Sequence, residues 1–195
     1  MTQEFWRGLV ISQIDTKADT LGGYHPDPAQ RKWGIGSCFA NEGEYLYRTV
    51  REMKPQIIIE VGRLEGCSTS HLALGCKHNG KGKVYSIDYM VGTGSKIPAE
   101  LMPWVELVTV DVFTLDVPKL VGKPIDLLIE DGAHTTGFTS GVLKAIKARR
   151  VLVHDYCHWD CQKTVAEEAR SVLGEPDEVF FEQPSDCGYG VWHVK

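Results

Sequence analysis

The sequence predicts an α/β protein built on a doubly wound sheet of seven strands, mainly parallel, with an antiparallel last strand. Three observations predict it. Short apolar runs near residues 57–61, 84–88, 104–110, 125–130 and 150–154 alternate with helix-compatible stretches, as parallel strands joined by crossovers require. The first of them, Ile57-Ile58-Ile59-Glu60-Val61, is nearly continuous in β-branched residues, which suits a strand buried on both faces. Two closing runs, Glu178–Glu182 and Gly190–Val194, are separated by the turn Pro184-Ser185-Asp186, and a short turn joins antiparallel neighbours.

Taken in order, residues 1–34 carry little periodicity and read as an N-terminal arm or lid; residues 35–195 read as the main domain. Glu42–Lys54 predicts a helix with Leu46 and Val50 on one face, stopped at Pro55. A helix opens after Gly66 and carries Leu72 and Leu74. Met90–Glu100 is too rich in glycine for a full crossover helix. Thr114–Val121 predicts a brief helical turn, Thr135–Ala148 a helix, and Asp160–Leu173 another with Val165, Ala169 and Val172 at core spacing.

At 195 residues the chain suits one domain with a sizeable core. Lys and Arg number 21 against 26 Asp and Glu, a net charge of −5 with no long basic run, so no nucleic-acid partner is expected. No apolar stretch approaches the ~20 residues of a membrane span. The opening MTQEFWRGLV lacks signal-peptide character, and six scattered cysteines suit reduced thiols, so the expected compartment is cytoplasmic.

The chemistry starts after the first strand. Gly62 ends it, Gly66 follows, and Cys67-Ser68-Thr69-Ser70 opens a helix. A buried strand, a glycine turn and a helix N-terminus form a Rossmann-like nucleoside site. Asp88, ending the second strand, stands where a carboxylate accepts hydrogen bonds from both ribose hydroxyls. A dinucleotide fingerprint would put a glycine two residues after Gly62, where this chain has Leu64. The spacing Glu60-x-Gly62-x-x-x-Gly66-x-Ser68 instead resembles the first motif of class I S-adenosylmethionine methyltransferases, in the catechol O-methyltransferase-like branch that also includes macrolide-sugar enzymes. That resemblance implies S-adenosylmethionine as cofactor, held around Glu60, Gly62, Gly66 and Ser68. It implies that Ser68 caps the helix and holds the methionine carboxylate, and that Asp111 meets the adenine amino group. It also places Gly36 and Ser37, in the loop before the first helix, next to the cofactor.

The strand ends also carry Glu130-Asp131 and His154-Asp155, and grouped carboxylates repel unless a cation neutralises them. DLLIEDGAH (126–134) and VLVHDY (151–156) resemble paired motifs of metal-dependent O-methyltransferases. The resemblance implies that Asp131, His154 and Asp155 hold a divalent cation that chelates a hydroxylated small-molecule acceptor. Better-known members carry a carboxylate at the place of His154; imidazole favours Mn²⁺ and similar ions over Mg²⁺. It implies His134, three residues after Asp131, as general base, with Asp131 as its catalytic companion. The segment HDYCHWDC (154–161) also invites a zinc reading, weakened by the missing second knuckle. The expected activity is therefore methyl transfer to an oxygen. The alternatives are a metal-dependent hydroxylase or hydrolase on the same fold, or a non-catalytic S-adenosylmethionine-binding domain. The arm or the second subunit of a homodimer is expected to cover the site.

Overall fold

The computed structural model describes residues 40–158, 161–181 and 187–194. The arm 1–34, the cofactor candidates Gly36 and Ser37, and the turn 184–186 lie outside the described residues. Helix α1 (Ala40–Met53) leads into β1 (Ile57–Val61), α2 (Cys67–Asn79) and β2 (Lys83–Asp88). A 3₁₀ turn (Ala99–Trp104) precedes β3 (Val105–Thr109), and a second (Val112–Thr114) precedes the short α3 (Val117–Val121). Then come β4 (Ile125–Glu130), α4 (Phe138–Ala145), β5 (Ala148–His154), a π-helical turn (Gln162–Ala166) running into α5 (Glu167–Leu173), β6 (Glu178–Phe180) and β7 (Tyr189–His193).

The seven strands form one sheet in the order β3-β2-β1-β4-β5-β7-β6. β1 to β5 pair in parallel, and β7 runs antiparallel to both β5 and β6. The expected architecture, with its reversed last strand, is the observed one. All five residues of β1 are buried. Successive side chains point to opposite faces, so Ile57, Ile59 and Val61 join the core under α4 and α5, while Ile58 packs with Leu46 of α1 and Leu72 of α2. Burying one such side chain contributes about 1.5–3 kcal/mol. Both faces of the central strands therefore stabilise the sheet that carries the site. No helix among the described residues is long and apolar enough to cross a membrane.

Several helix bounds differ from the sequence reading, two of them instructively. α4 begins at Phe138 rather than Thr135, because Gly137 takes φ +88° ahead of it. Glu168 of α5 accepts the N–H of Gly137, and that of Ser140 at 3.0 Å, so a carboxylate from another helix caps this one. The segment 131–137 is thereby left as a loop that carries Asp131 and His134. The last helix is shorter than Asp160–Leu173, its first turn being π-helical.

Candidate active site

Register builds the site. β1 pairs Val61 with Ile87 of β2 on one side and with Glu130 of β4 on the other. The next residues, Gly62, Asp88 and Asp131, therefore stand at one level at the edge of the sheet. β4 pairs Glu130 with Val153, which brings His154 and Asp155 beside Asp131. These are the carboxyl ends of parallel strands, where open α/β sheets bind ligands.

Gly62 has φ +88°, and a Cβ there would stand 1.9 Å from the carbonyl oxygen of Asp131. The loop after it is strained at Leu64, with φ +41°. Asp88 holds this loop: its Oδ2 accepts from the N–H groups of Arg63 and Leu64, both at 3.1 Å, and its Oδ1 from that of Met90 at 2.9 Å. Arg63, which the sequence reading passed over, turns inward. Its guanidinium donates to the carbonyls of Ser86 at 2.7 Å and Val108 at 3.2 Å, and to the Thr109 hydroxyl at 2.8 Å. It ties the ends of β2 and β3 together beneath the loop. No spacing signal marks such a role, because it depends on strands 23 and 45 residues away.

Glu60 and Ser68 lie beneath the loop. Ser68 donates to Glu60 at 2.6 Å, and Thr69 and Ser86 also donate to that carboxylate. Gly66, with φ +93° and its Cα against Ile97, stands at the N-cap of α2 in place of the serine cap that the resemblance implies. Burial is complete at Glu60 and outweighs the three hydroxyls, raising its pKa from an ordinary 4.5 to about 7. A carboxyl raised in the folded state stabilises fully below its unfolded pKa and loses that contribution as pH rises through the folded value. For Glu60 the window runs from pH 4.5 to 7, and the shift corresponds to about 3 kcal/mol. Glu60→Gln is accordingly expected to flatten the decline of Tm between pH 5 and 8. Parallel Tm-against-pH curves for variant and wild type would contradict that burial effect.

Above the loop is a cavity of about 450 Å³, within the usual range for small-ligand sites. Gly62, Asp88, Asp111 and Asp131 line it, with Phe113 and Phe138 as aromatic wall. Those two rings meet edge to face at 5.3 Å, and half-exposed Phe113 offers a surface for a flat heterocycle. Asp111 also caps the 3₁₀ turn by accepting the N–H of Phe113 at 3.0 Å. The cradle fits a nucleoside: a carboxylate at the β2 end, backbone approach at Gly62, and an apolar slot.

Beside Asp131 lies the second half of the site. His154 Nδ1 is 3.0 Å from Asp131 Oδ1 and 3.3 Å from Asp155 Oδ2. Its Nε2 is 3.3 Å from Glu42 Oε1 of α1. Burial works against charge on His154, but Asp131 foremost, with Glu42 and Asp155, raises its pKa well above the ordinary 6.5. Burial likewise opposes ionisation of Asp155; His154 and His134 outweigh it and hold that carboxyl well below the usual range. Asp155 has φ +53°, a strained conformation for an L residue. That conformation aims its Oδ2 at His154 and at His134, whose Nε2 lies 2.9 Å away. This hydrogen bond, working against burial, raises the pKa of His134. The other ring nitrogen of His134 contacts Cys161 Sγ at 3.5 Å.

The donor atoms of Asp131, His154 and Asp155 lie within 4.8 Å of one another. Adjacent ligands of an octahedral ion with bonds near 2.1 Å stand about 3 Å apart, close to the observed 3.0 and 3.3 Å. Two carboxylates and one imidazole therefore fit a divalent cation, and they favour Mn²⁺ or Fe²⁺ over Mg²⁺. Among the described residues a second such group joins Glu42, His154 and Cys187, and neither group includes Cys157 or Cys161. Of the residues singled out in the sequence, Asp131, His134, His154 and Asp155 come together. Gly62, Asp88 and Asp111 share the cavity with Asp131, while Glu60, Gly66 and Ser68 support it from below.

A family model described as a methyltransferase domain matches residues 59–159, just over half of the chain. The chain belongs to this methyltransferase family. No curated protein sequence matches this methyltransferase significantly. Its fold is similar to cofactor-bound Rv0187 from MTB, 19% identical over 80% of each chain with a TM-score of 0.62. It is similar to the SAH-bound methyltransferase PaMTH1 of Podospora anserina, 16% identical over 87% of this chain and 83% of that one, TM-score 0.61. It is similar, too, to the O-methyltransferase TomG of Streptomyces achromogenes, involved in tomaymycin synthesis and solved with S-adenosylmethionine. That pair is 18% identical over 98% of this chain and 97% of TomG, TM-score 0.61. At these identities the likeness is one of fold, and the methyltransferase carries its glycine loop, acidic strand ends and reversed β7 within it.

Proposed function

We propose that this methyltransferase uses S-adenosylmethionine to methylate a hydroxyl of a small acceptor bearing adjacent oxygens, with a divalent cation held by Asp131, His154 and Asp155. The observation that carries the reading is the position of that donor triad, with His134, beside the cavity formed by Gly62 and Asp88. TomG, an O-methyltransferase, lends support for oxygen as the acceptor atom. When bound, S-adenosylmethionine supplies an activated methyl on a sulfonium; a bound divalent cation supplies Lewis acidity that lowers a hydroxyl pKa. The chain's own residues do the rest. Asp88 and the backbone at Gly62 fix the cofactor's ribose and orientation, and the Phe113–Phe138 wall receives its base. His134 gives its Nε2–H to Asp155, which orients the ring, and its Nδ1 takes the acceptor proton. Holding the two reactants in line removes much of the entropic barrier.

Calorimetry tests this reading. Chelator-treated protein is titrated with S-adenosylmethionine, and the complex then with Mn²⁺ and Mg²⁺. The expected result is binding of the cofactor followed by binding of metal, Mn²⁺ more tightly, with Asp155→Ala removing only the second event. Catechol and polyhydroxylated sugars then serve as test acceptors. Failure to bind S-adenosylmethionine would overturn the proposal, and binding without any metal response would remove the cation from it.

A further inference from the structure

We propose that Glu42 is the positioning residue for His154: it holds the Nε2 side of the imidazole so that Nδ1 faces Asp131 and Asp155 as the metal-binding nitrogen. The inference rests on the cation site proposed above and adds a residue from outside it. Glu42 sits in the first turn of α1, where an acidic side chain would ordinarily face solvent and offset the helix dipole. Here it is fully buried. Its Oε1 accepts the N–H of Gly188 at 3.1 Å and stands 3.3 Å from His154 Nε2. Gly188, next to β7, therefore fixes the carboxylate that confronts the imidazole.

The His154 ring is confined on its other sides. Tyr189 of β7 lies 4.8 Å from it, centroid to centroid, and Asp131 and Asp155 both face Nδ1. Nε2 is buried, and its approach to Glu42 is not aligned as a hydrogen bond. It is a buried polar atom 3.3 Å from one carboxylate, near enough to share its proton once the ring turns slightly. A ligating histidine almost always gives its second N–H to such an acceptor, which fixes the tautomer and raises the basicity of the ligating nitrogen. Glu42 supplies that acceptor from a helix that precedes the whole sheet in sequence. Cys187 lies near the same group, but Glu42 already accepts from Gly188, which suits an orienting carboxylate better than a ligand.

Mn²⁺ titration of the S-adenosylmethionine complex of the full chain, wild type against Glu42→Gln and Glu42→Asp, tests this. Loss of an outer carboxylate typically weakens metal binding by about 10–100-fold. Glu42→Gln is expected to lose that much Mn²⁺ affinity with S-adenosylmethionine affinity unchanged, and Glu42→Asp to recover part of the loss. Wild-type affinity in Glu42→Gln would overturn the role of Glu42 while leaving the cation site standing. No metal binding by wild type would overturn both, and two ions per chain would make Glu42 a ligand instead. A second measurement needs no variant. With Zn²⁺ as the diamagnetic probe, ¹⁵N spectra of the wild-type complex are expected to show His154 Nδ1 metal-bound and Nε2 protonated. The reverse assignment would overturn the proposal.

Discussion

Gly62→Ala is expected to abolish S-adenosylmethionine binding and to destabilise the fold by about 2–6 kcal/mol, since positive-φ strain and overpacking each cost roughly 1–3 kcal/mol. The added methyl would stand 1.9 Å from the Asp131 carbonyl oxygen and 2.6 Å from its carbonyl carbon. Backbone cannot rotate away as the end of a flexible side chain can. Either β1 separates from the 131–137 loop or Asp131 leaves its place beside His154, and both outcomes damage the site. Gly80→Ala is the control. Its φ is +65°, but nothing lies within 4 Å of the added carbon, so only the left-handed backbone cost of about 1–2 kcal/mol applies. Thermal melts and cofactor titrations of the two variants decide the matter. A Gly62→Ala protein as stable as Gly80→Ala, with wild-type cofactor affinity, would refute this account of the loop.

His134→Gln is expected to lower kcat for methyl transfer by about 10²–10⁴-fold, the usual contribution of a positioned base. The Asp155 hydrogen bond raises the pKa of His134 above 6.5, which makes the imidazole a stronger base and leaves less of it unprotonated at neutral pH. The wild-type rate should therefore climb with pH until that raised pKa is passed. The variant should lose this limb of the profile while binding cofactor and metal as before. Full methyl transfer by His134→Gln across pH 6–9 would remove His134 from the mechanism.

Much of this was legible in the sequence, for identifiable reasons. Buried parallel strands announce themselves through runs such as Ile57–Val61. Once strands are placed, their carboxyl ends follow, so Asp88, Asp131, His154 and Asp155 could be assigned to one rim. What escaped has a common physical character. Arg63 is recognised only by the carbonyls it reaches on two other strands. The start of α4 at Gly137 is fixed by Glu168, 31 residues away, a partner that local propensity does not reveal. The resemblance implies Ser68 as a cap, yet its hydroxyl finds a stronger acceptor in the buried carboxylate of Glu60.

The bond from Gly188 to Glu42 spans 146 residues and sets an order of events during synthesis. A nascent chain presenting everything through β6 has the glycine loop, Asp88 and Asp131 in hand, but the edge of β5 stands open and Glu42 lacks the N–H of Gly188. Closing so long a loop is entropically slow compared with local pairing. The Glu42 and Tyr189 side of His154 is therefore completed last, when β7 slots between β5 and β6. Until then the cradle proposed for the nucleoside stands complete ahead of the proposed cation site, which still lacks the bond that fixes Glu42.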